Sequence, residues 1–208
     1  MGSENKKLVI FDFDGVLVNT LEFSFNLHKE KNPNFNWAKF QDFSNGNFMD
    51  SVKNAVDEKS HVVPSDFKDK YQENIDKINI HDTLHKTVLL LSQDYLIAIV
   101  SSTDSYLIND FLVKENLRNC FSDILGTDIH KSKIVKINSI LQKYNISPKD
   151  TVFITDSLGD ILEGNNCGVN SIGVTWGIHG KENLEKGNPI TVIDDPRDLL
   201  DSIKNVLK

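Results

Sequence analysis

Short, unbroken apolar runs punctuate the chain. Leu8-Val9-Ile10-Phe11 is the first and Tyr95 to Val100 the second. Ile124-Leu125, Thr151 to Thr155, Ser171 to Thr175 and Ile190 to Ile193 follow. None of them alternates apolar with polar residues. Continuous runs of this length predict strands covered on both faces, as in a parallel sheet. Between them, apolar residues recur at spacings of three and four, the signature of one helix face. Leu107, Ile108, Phe111 and Leu112 form one such set, and Ile134, Ile137, Leu141 and Tyr144 a second. Leu199, Leu200, Ile203 and Leu207 form a third. Ser147-Pro148-Lys149-Asp150 predicts a turn into the fourth run. From about residue 84 onward strand and helix patterns alternate, which predicts an α/β class: a doubly wound, Rossmann-like parallel sheet.

One stretch breaks the alternation. From about Asn19 to about Ile80 the pattern is aromatic, polar and helix-like, with Phe23, Phe25, Phe35, Trp37, Phe40, Phe43 and Phe48. It is too long for a plain loop in a compact domain. We read it as a small helical insertion packing on its own aromatics. The expected division is an α/β core of residues 1–18 and 82–208, with a small helical cap of residues 19–81 inserted after the first strand.

Composition narrows the class of protein. The chain has 208 residues, 39% hydrophobic and 25% charged, an ordinary globular balance. Its formal net charge of -7 would repel phosphate backbones, so no nucleic acid partner is expected. The surplus acid is best assigned to solubility. No apolar run is long enough to span a bilayer and no secretory signal opens the chain, so a cytoplasmic protein without membrane contact is expected. Cys120 and Cys167 form no metal-like cluster and fit free, reduced thiols. The six histidines show no ligand spacing and read as surface or capping residues.

Open α/β sheets bind ligands beyond the carboxyl ends of their strands, so the residues following each apolar run matter most. Asp12-Phe13-Asp14-Gly15-Val16-Leu17 follows the first, Ser101-Ser102 the second, and Asp156 the fourth, with Asp160 four residues on. His130-Lys131-Ser132-Lys133 opens a helix between them. Taken singly, each has an ordinary explanation: turn formers, helix caps, a surface lysine. In order, at the place where such a sheet puts its site, they are acid, hydroxyl, lysine and acid. Four carboxylates in one crevice would repel, and a divalent cation relieves that repulsion. Oxygen ligands suit Mg2+. A dication, a lysine and a hydroxyl suit a phosphate dianion.

These segments resemble the four motifs of the haloacid dehalogenase superfamily of phosphatases, in its phosphoglycolate phosphatase-like branch. Asp12 to Leu17 is similar to the first motif, Ser101 to the second, Lys133 in Ser132-Lys133-Ile134 to the third, and Thr155-Asp156-Ser157-Leu158-Gly159-Asp160 to the fourth. Gly173-Val174-Thr175-Trp176-Gly177, Asn183-Leu184 and Asp198-Leu199-Leu200 extend the likeness, which runs from Leu8 to the end and is weakest in the insertion. Two positions depart from the common pattern. Thr155 stands where many members carry glycine, and Ile134 follows the lysine where many carry proline. Lys131 and Lys136 are therefore rivals of Lys133.

The resemblance implies a Mg2+-dependent phosphatase acting on a small phosphomonoester. Asp12 would attack phosphorus and Asp14 would serve as acid and then base. Asp12, the Asp14 carbonyl and Asp156 would hold Mg2+, with Asp160 close by or acting through water. Ser101, Ser102 and Lys133 would hold the phosphoryl oxygens. The insertion would close over the site, with Ser44-Asn45-Gly46-Asn47-Phe48 as a substrate-facing loop. A phosphomutase of the β-phosphoglucomutase type is the alternative. Those enzymes carry a histidine where this chain has Ser24. A non-catalytic phosphate-binding protein is disfavoured by the intact Asp12 and Asp14. A signalling receiver domain is disfavoured because receivers are shorter and lack an insertion. A monomer or a homodimer is expected.

Overall fold

The computed structural model describes residues 7–47, 50–51, 54, 67–74, 77–81 and 83–208. Six strands form one parallel sheet: β1 (Leu8–Phe11), β2 (Leu96–Val100), β3 (Asp123–Leu125), β4 (Thr151–Thr155), β5 (Asn170–Val174) and β6 (Thr191–Ile193). Their order is β3-β2-β1-β4-β5-β6. Each apolar run predicted as a strand lies on one of them, with ends that agree to within a residue. β1 is central, with Phe11 paired to Ile99 on one side and to Ile154 on the other. The winding reverses between β1 and β4, the place where open α/β sheets hold a ligand beyond the carboxyl ends of their strands.

Successive strand residues face opposite sides. Val9, Phe11, Ile97, Ile99, Val152 and Ile154 pack into one apolar layer. The helices α4 (Leu84–Asp94), α5 (Ser105–Lys114) and α8 (Leu199–Val206) contribute Leu84, Phe111 and Ile203 to it. Leu8, Ile10, Ala98, Val100 and Phe153 form the other layer, against Ile137 and Ile140 of α6 (Lys133–Tyr144). Both faces are buried, so the strands carry no alternation. The helix faces predicted from spacing are the ones that point inward.

Between β1 and α4, the described residues form α1 (Leu21–Lys31), α2 (Trp37–Phe43) and α3 (Phe67–Asn74). Asn36 caps α2 by accepting from the Lys39 amide at 3.0 Å. The chain leaves at Val18 and returns at Ile80, and these two residues bridge antiparallel. The His81 amide donates to the Leu17 carbonyl at 2.9 Å beside that bridge. The aromatic residues do cluster, but not only on one another. Phe35 and Phe40 pack with Leu21, Phe25 and Phe43 and also with Ile178, which follows β5. Phe23 instead faces the main core and meets the Tyr71 ring edge-on at 6.0 Å. Phe48 lies outside the described residues.

The histidines are expected at the surface or as caps, and two of them are buried. His28 is buried against the Phe35 and Phe40 rings. His179 is 1% exposed. The rings on His28 come from the same stretch of chain, whereas the Gln41 carbonyl that meets His179 lies 138 residues away. His61 lies outside the described residues. Cys120 and Cys167 are free thiols, and burial pushes Cys167 up to about 11. Among the described residues no helix is long and apolar enough to cross a membrane.

Candidate active site

The site is built at the carboxyl ends of β1, β2 and β4. Asp12 continues β1: its amide donates to the Ile154 carbonyl at 2.9 Å. Its Oδ1 accepts from the Phe13 amide at 2.8 Å, which fixes the carboxylate on its own backbone. Its Oδ2 lies 2.9 Å from Lys133 Nζ. Beyond it the chain turns sharply, and the Leu17 amide closes on the Phe13 carbonyl at 2.9 Å. Gly15 makes that turn at φ +72, a conformation that suits glycine. A Cβ at Gly15 would also overlap the Asp156 carboxylate, so the turn and the second acid pack directly together.

Asp14 takes other partners. Thr20 Oγ1 donates to its Oδ1 at 2.7 Å and Thr103 Oγ1 to its Oδ2 at 2.6 Å. Tyr71 of α3 adds a donor to Oδ1 at 3.2 Å. Three hydroxyls from three segments thus fix this side chain. Burial and the Asp14 charge hold the Tyr71 phenol well above its ordinary value, so it stays a donor.

Ser101 is fully buried, and its Oγ accepts from the Thr103 amide at 3.0 Å. Ser102 begins the same bend and is half-buried. Of the rival lysines, Lys133 is the one that reaches the acids. It is 4% exposed, and its Nζ sits 2.6 Å from Asp160 Oδ2 besides the contact to Asp12. Lys131 is exposed. Lys136, one turn further along the inner face of α6, is buried and donates to the Ser101 carbonyl at 2.5 Å. Burial and the neighbouring Lys133 charge lower it to about 8. It anchors the loop after β2 rather than the acids.

Asp156 directly follows β4 and Asp160 lies on α7 (Leu158–Asn166). The Ile178 amide donates to Asp156 Oδ2 at 2.7 Å. Asp160 Oδ2 receives both Lys133 and Thr155 Oγ1, the latter at 2.8 Å. Thr155 is therefore more than a departure from a motif: its hydroxyl orients Asp160 and also accepts from the Ser157 amide. Every amide in the first turn of α7 has an acceptor outside the helix ladder. Leu158 donates to His179 Nδ1 at 3.0 Å, Gly159 to the Ser44 carbonyl at 2.9 Å and Asp160 to Ser157 Oγ at 3.2 Å. Because a backbone amide can only donate, His179 Nδ1 is the acceptor, and Nε2–H donates to the Gln41 carbonyl at 3.0 Å.

Burial governs the charges. It raises Asp12 well above the usual carboxylate range despite Lys133, and Asp160 and Asp156 push it further. It raises Asp156 to about 7, against the pull of the Ile178 amide. Burial would raise Asp160 too, but the Lys133 ammonium overrides it and holds that carboxyl below its ordinary value. Burial alone would lower Lys133, and Asp12 and Asp160 reverse that and hold it protonated. A cation bound beside these groups would favour the ionised forms of Asp12 and Asp156. Among the described residues no three His, Cys, Asp or Glu side chains converge as ligands. Asp160 is committed to Lys133 and Asp14 to its hydroxyls. The donor set left is two carboxylates, Asp12 and Asp156, beside the Asp14 backbone. That suits Mg2+, which needs only one or two carboxylates and keeps water or phosphate oxygens in its other positions.

A stability prediction follows from the raised acid. Unfolded, Asp156 loses its proton near pH 4, roughly the model-peptide value; folded, it does so near 7. Between these limits the folded chain binds more protons than the unfolded one, so this contribution to stability falls as pH rises. His179, held low by burial, works in the opposite sense and must be subtracted. In EDTA, the Tm difference between parent and Asp156→Asn should move against the parent from pH 5 to pH 8. A difference flat in pH would exclude a protonated Asp156.

The pattern of residues matches a known family. A family model described as haloacid dehalogenase-like hydrolase matches residues 9–174. The chain belongs to that family. The resemblance of the four motifs is thereby borne out at the level of the family. A phosphoglycolate phosphatase of Vibrio vulnificus is 30% identical over 142 residues, 66% of this chain and 62% of that protein, so the chain spans under two thirds of this relative. A second phosphoglycolate phosphatase, from Vibrio parahaemolyticus, is 24% identical over 98% of both chains. A pyrophosphatase PpaX of Bacillus mycoides is 26% identical over 95% of this chain and 97% of that one. Among solved structures, a predicted phosphatase from Clostridium acetobutylicum superposes with a TM-score of 0.81 at 18% identity, covering 96% of this chain and 99% of that one. A hydrolase from Pseudomonas syringae gives 0.81 at 15% identity, covering 98% and 100%. At these identities the structures speak for the haloacid dehalogenase fold alone.

The sequence pointed to Asp12, Asp14, Ser101, Ser102, Lys133, Asp156 and Asp160, and they lie just past the ends of β1, β2 and β4 and in the first turns of α6 and α7. It did not point to Thr20, Tyr71, Thr103 or His179. Only Thr155 carried a visible mark, as a hydroxyl where many relatives have glycine.

Proposed function

We propose that this chain is a Mg2+-dependent phosphatase that hydrolyses a small phosphomonoester through an aspartyl-phosphate on Asp12. The observation that carries the reading is the contact of Asp12 Oδ2 with Lys133 at 2.9 Å, beside Asp156 at the switch point of the sheet. A carboxylate fixed by its own backbone and faced by a protonated lysine is placed to meet a phosphate. Its Oδ2 would attack phosphorus, and the bond to the ester oxygen would break. Asp14 would deliver a proton to the departing oxygen, then take one from the water that cleaves the aspartyl-phosphate and releases phosphate. Lys133 and the amides and hydroxyl of the Ser101-Ser102 loop would hold the phosphoryl oxygens. Asp160 and Thr155 would hold Lys133 in register. Mg2+, carried by Asp12, Asp156 and the Asp14 carbonyl, would offset the charge that gathers on phosphorus and its oxygens.

The helices between β1 and β2 would act as a cap over the crevice and exclude water from it. Tyr71 reaching Asp14, Ser44 accepting from Gly159 of α7 and Gln41 donating to the Ile178 carbonyl after β5 support this placement. The similarity to phosphoglycolate phosphatases and to a pyrophosphatase sets the first substrates to try. The test is phosphate release from p-nitrophenyl phosphate, phosphoglycolate, pyrophosphate and a panel of sugar and nucleotide monophosphates, in Mg2+ and in EDTA. Release in Mg2+ that EDTA abolishes is expected, strongest for one class. No release from any of them by folded protein in Mg2+ would overturn the proposal.

A further inference from the structure

Glu163 lies on the inner side of α7, buried and outside the set of groups assigned above to the reaction. One of its oxygens serves three donors. Oε1 accepts from the Lys133 amide at 3.1 Å, from Ser132 Oγ at 3.4 Å and from Asn47 Nδ2 at 3.1 Å. The first two belong to the start of α6. Ser132 occupies the N-cap position of that helix without capping it through its own side chain. Glu163 does so from the neighbouring helix, and a carboxylate is well suited to the positive end of a helix. The third donor comes from the segment between β1 and β2, 116 residues away.

Around Asn47 the same loop makes further contacts with the core. Ser44 supplies the acceptor for the Gly159 amide, and Asn183 Nδ2 donates to Asn45 Oδ1 at 3.1 Å. Gly46 packs on Gly159 so closely that a Cβ at Gly159 would overlap the Gly46 carbonyl. The residue type at 159 is thus matched to the docked loop. If the loop leaves, α7 loses the acceptor for one of its first amides, and Glu163 loses a donor beside the helix that carries Lys133.

We propose that Asn47 and Glu163 form the latch of the docked helical segment, and that through the shared Oε1 this latch couples docking to the start of α6, making Glu163 a positioning residue for Lys133. The proposal rests on the phosphatase reading only for its purpose: closure over substrate would then set the lysine. The latch itself is a property of the resting protein.

Asn47 also has a local role, since its Oδ1 accepts from the Asp50 amide at 3.1 Å. Asn47→Asp keeps an oxygen for that amide and sets a carboxylate against Glu163, so it strikes the latch selectively. Glu163→Gln keeps an acceptor for Lys133 and Asn47 and removes the charge. Amide hydrogen exchange, followed by NMR on the full chain without substrate, reads both ends, because Gly159 and Lys133 report docking and the helix start. With N47D, like charges at hydrogen-bond distance should open the loop, and exchange at Gly159 and Lys133 should quicken by about tenfold or more. The amides of β4 should not change. E163Q alone should stay near the parent, and N47D/E163Q should recover most of the protection, because the repulsion is gone.

Unchanged exchange at Gly159 in N47D overturns the latch. Faster exchange at Gly159 with Lys133 unmoved overturns the coupling to the lysine. Failure of E163Q to rescue N47D overturns the Asn47–Glu163 contact as the cause. Because no turnover is measured, these outcomes stand whether or not the chain releases phosphate.

Discussion

Asp12→Asn is expected to lower phosphate release by at least about 10⁴-fold while the folded chain keeps its stability to within about 1 kcal/mol. Activity falls because an amide cannot form the acyl-phosphate bond. Stability holds because two changes oppose each other. The variant loses one contact to Lys133, which retains Asp160 at 2.6 Å. It also removes a carboxylate that burial, and then Asp160 and Asp156, push towards its protonated form. Taking a poorly tolerated charge out of the interior offsets the lost contact. Steady-state release and thermal unfolding, measured on the same preparation, check both halves. An inactive but folded variant places Asp12 in the chemistry. A variant that keeps a tenth of the parent's turnover removes it as nucleophile, and the aspartyl-phosphate with it.

What the sequence made legible follows from how far apart the interacting residues are. The strands could be read because both faces of this sheet are buried, which leaves unbroken apolar runs such as Leu8–Phe11 and Thr151–Thr155. The acids could be read because they directly follow those runs, where the fold itself locates a site. Lys133 could be ranked above Lys131 and Lys136 only by resemblance. The physical reason emerges from α6: Lys133 and Lys136 are three apart and both point inward, while Lys131 precedes the helix and is exposed. Glu163 and Tyr71 were beyond reach. Each looks like an ordinary helix residue in sequence, and its significance lies in partners 57 and 116 residues away, Asp14 for Tyr71 and Asn47 for Glu163. His179 does cap a helix, one of the two roles expected of the histidines, but the contact that covers it is Gln41, 138 residues away. The aromatic residues of the insertion were recognised as a core, but half of their meaning is Ile178, which belongs to the loop after β5.

Asp14→Asn is expected to separate the two halves of the reaction. The backbone carbonyl at this position survives the change, so the effect falls on proton transfer alone. With p-nitrophenyl phosphate the leaving group needs little protonation. Asp12 would still attack, the ester bond would still break, and one equivalent of p-nitrophenol per chain should appear in a burst. The aspartyl-phosphate then persists, because no base takes the proton of the attacking water. Steady turnover should fall by about 10²- to 10⁴-fold. With an alkyl monoester, whose leaving oxygen must receive a proton, no burst should form. The fold of the variant is protected by its surroundings: Thr20, Thr103 and Tyr71 place hydroxyls on this side chain, and a hydroxyl can turn to accept from an amide as readily as it donates to a carboxylate. Rapid-mixing measurement of p-nitrophenol, beside phosphate release from both esters, decides the matter. Equal losses on both esters with no burst would move Asp14 from proton transfer to substrate binding. Undiminished steady turnover would leave the water without an assigned base and would shift that role to another group in the crevice.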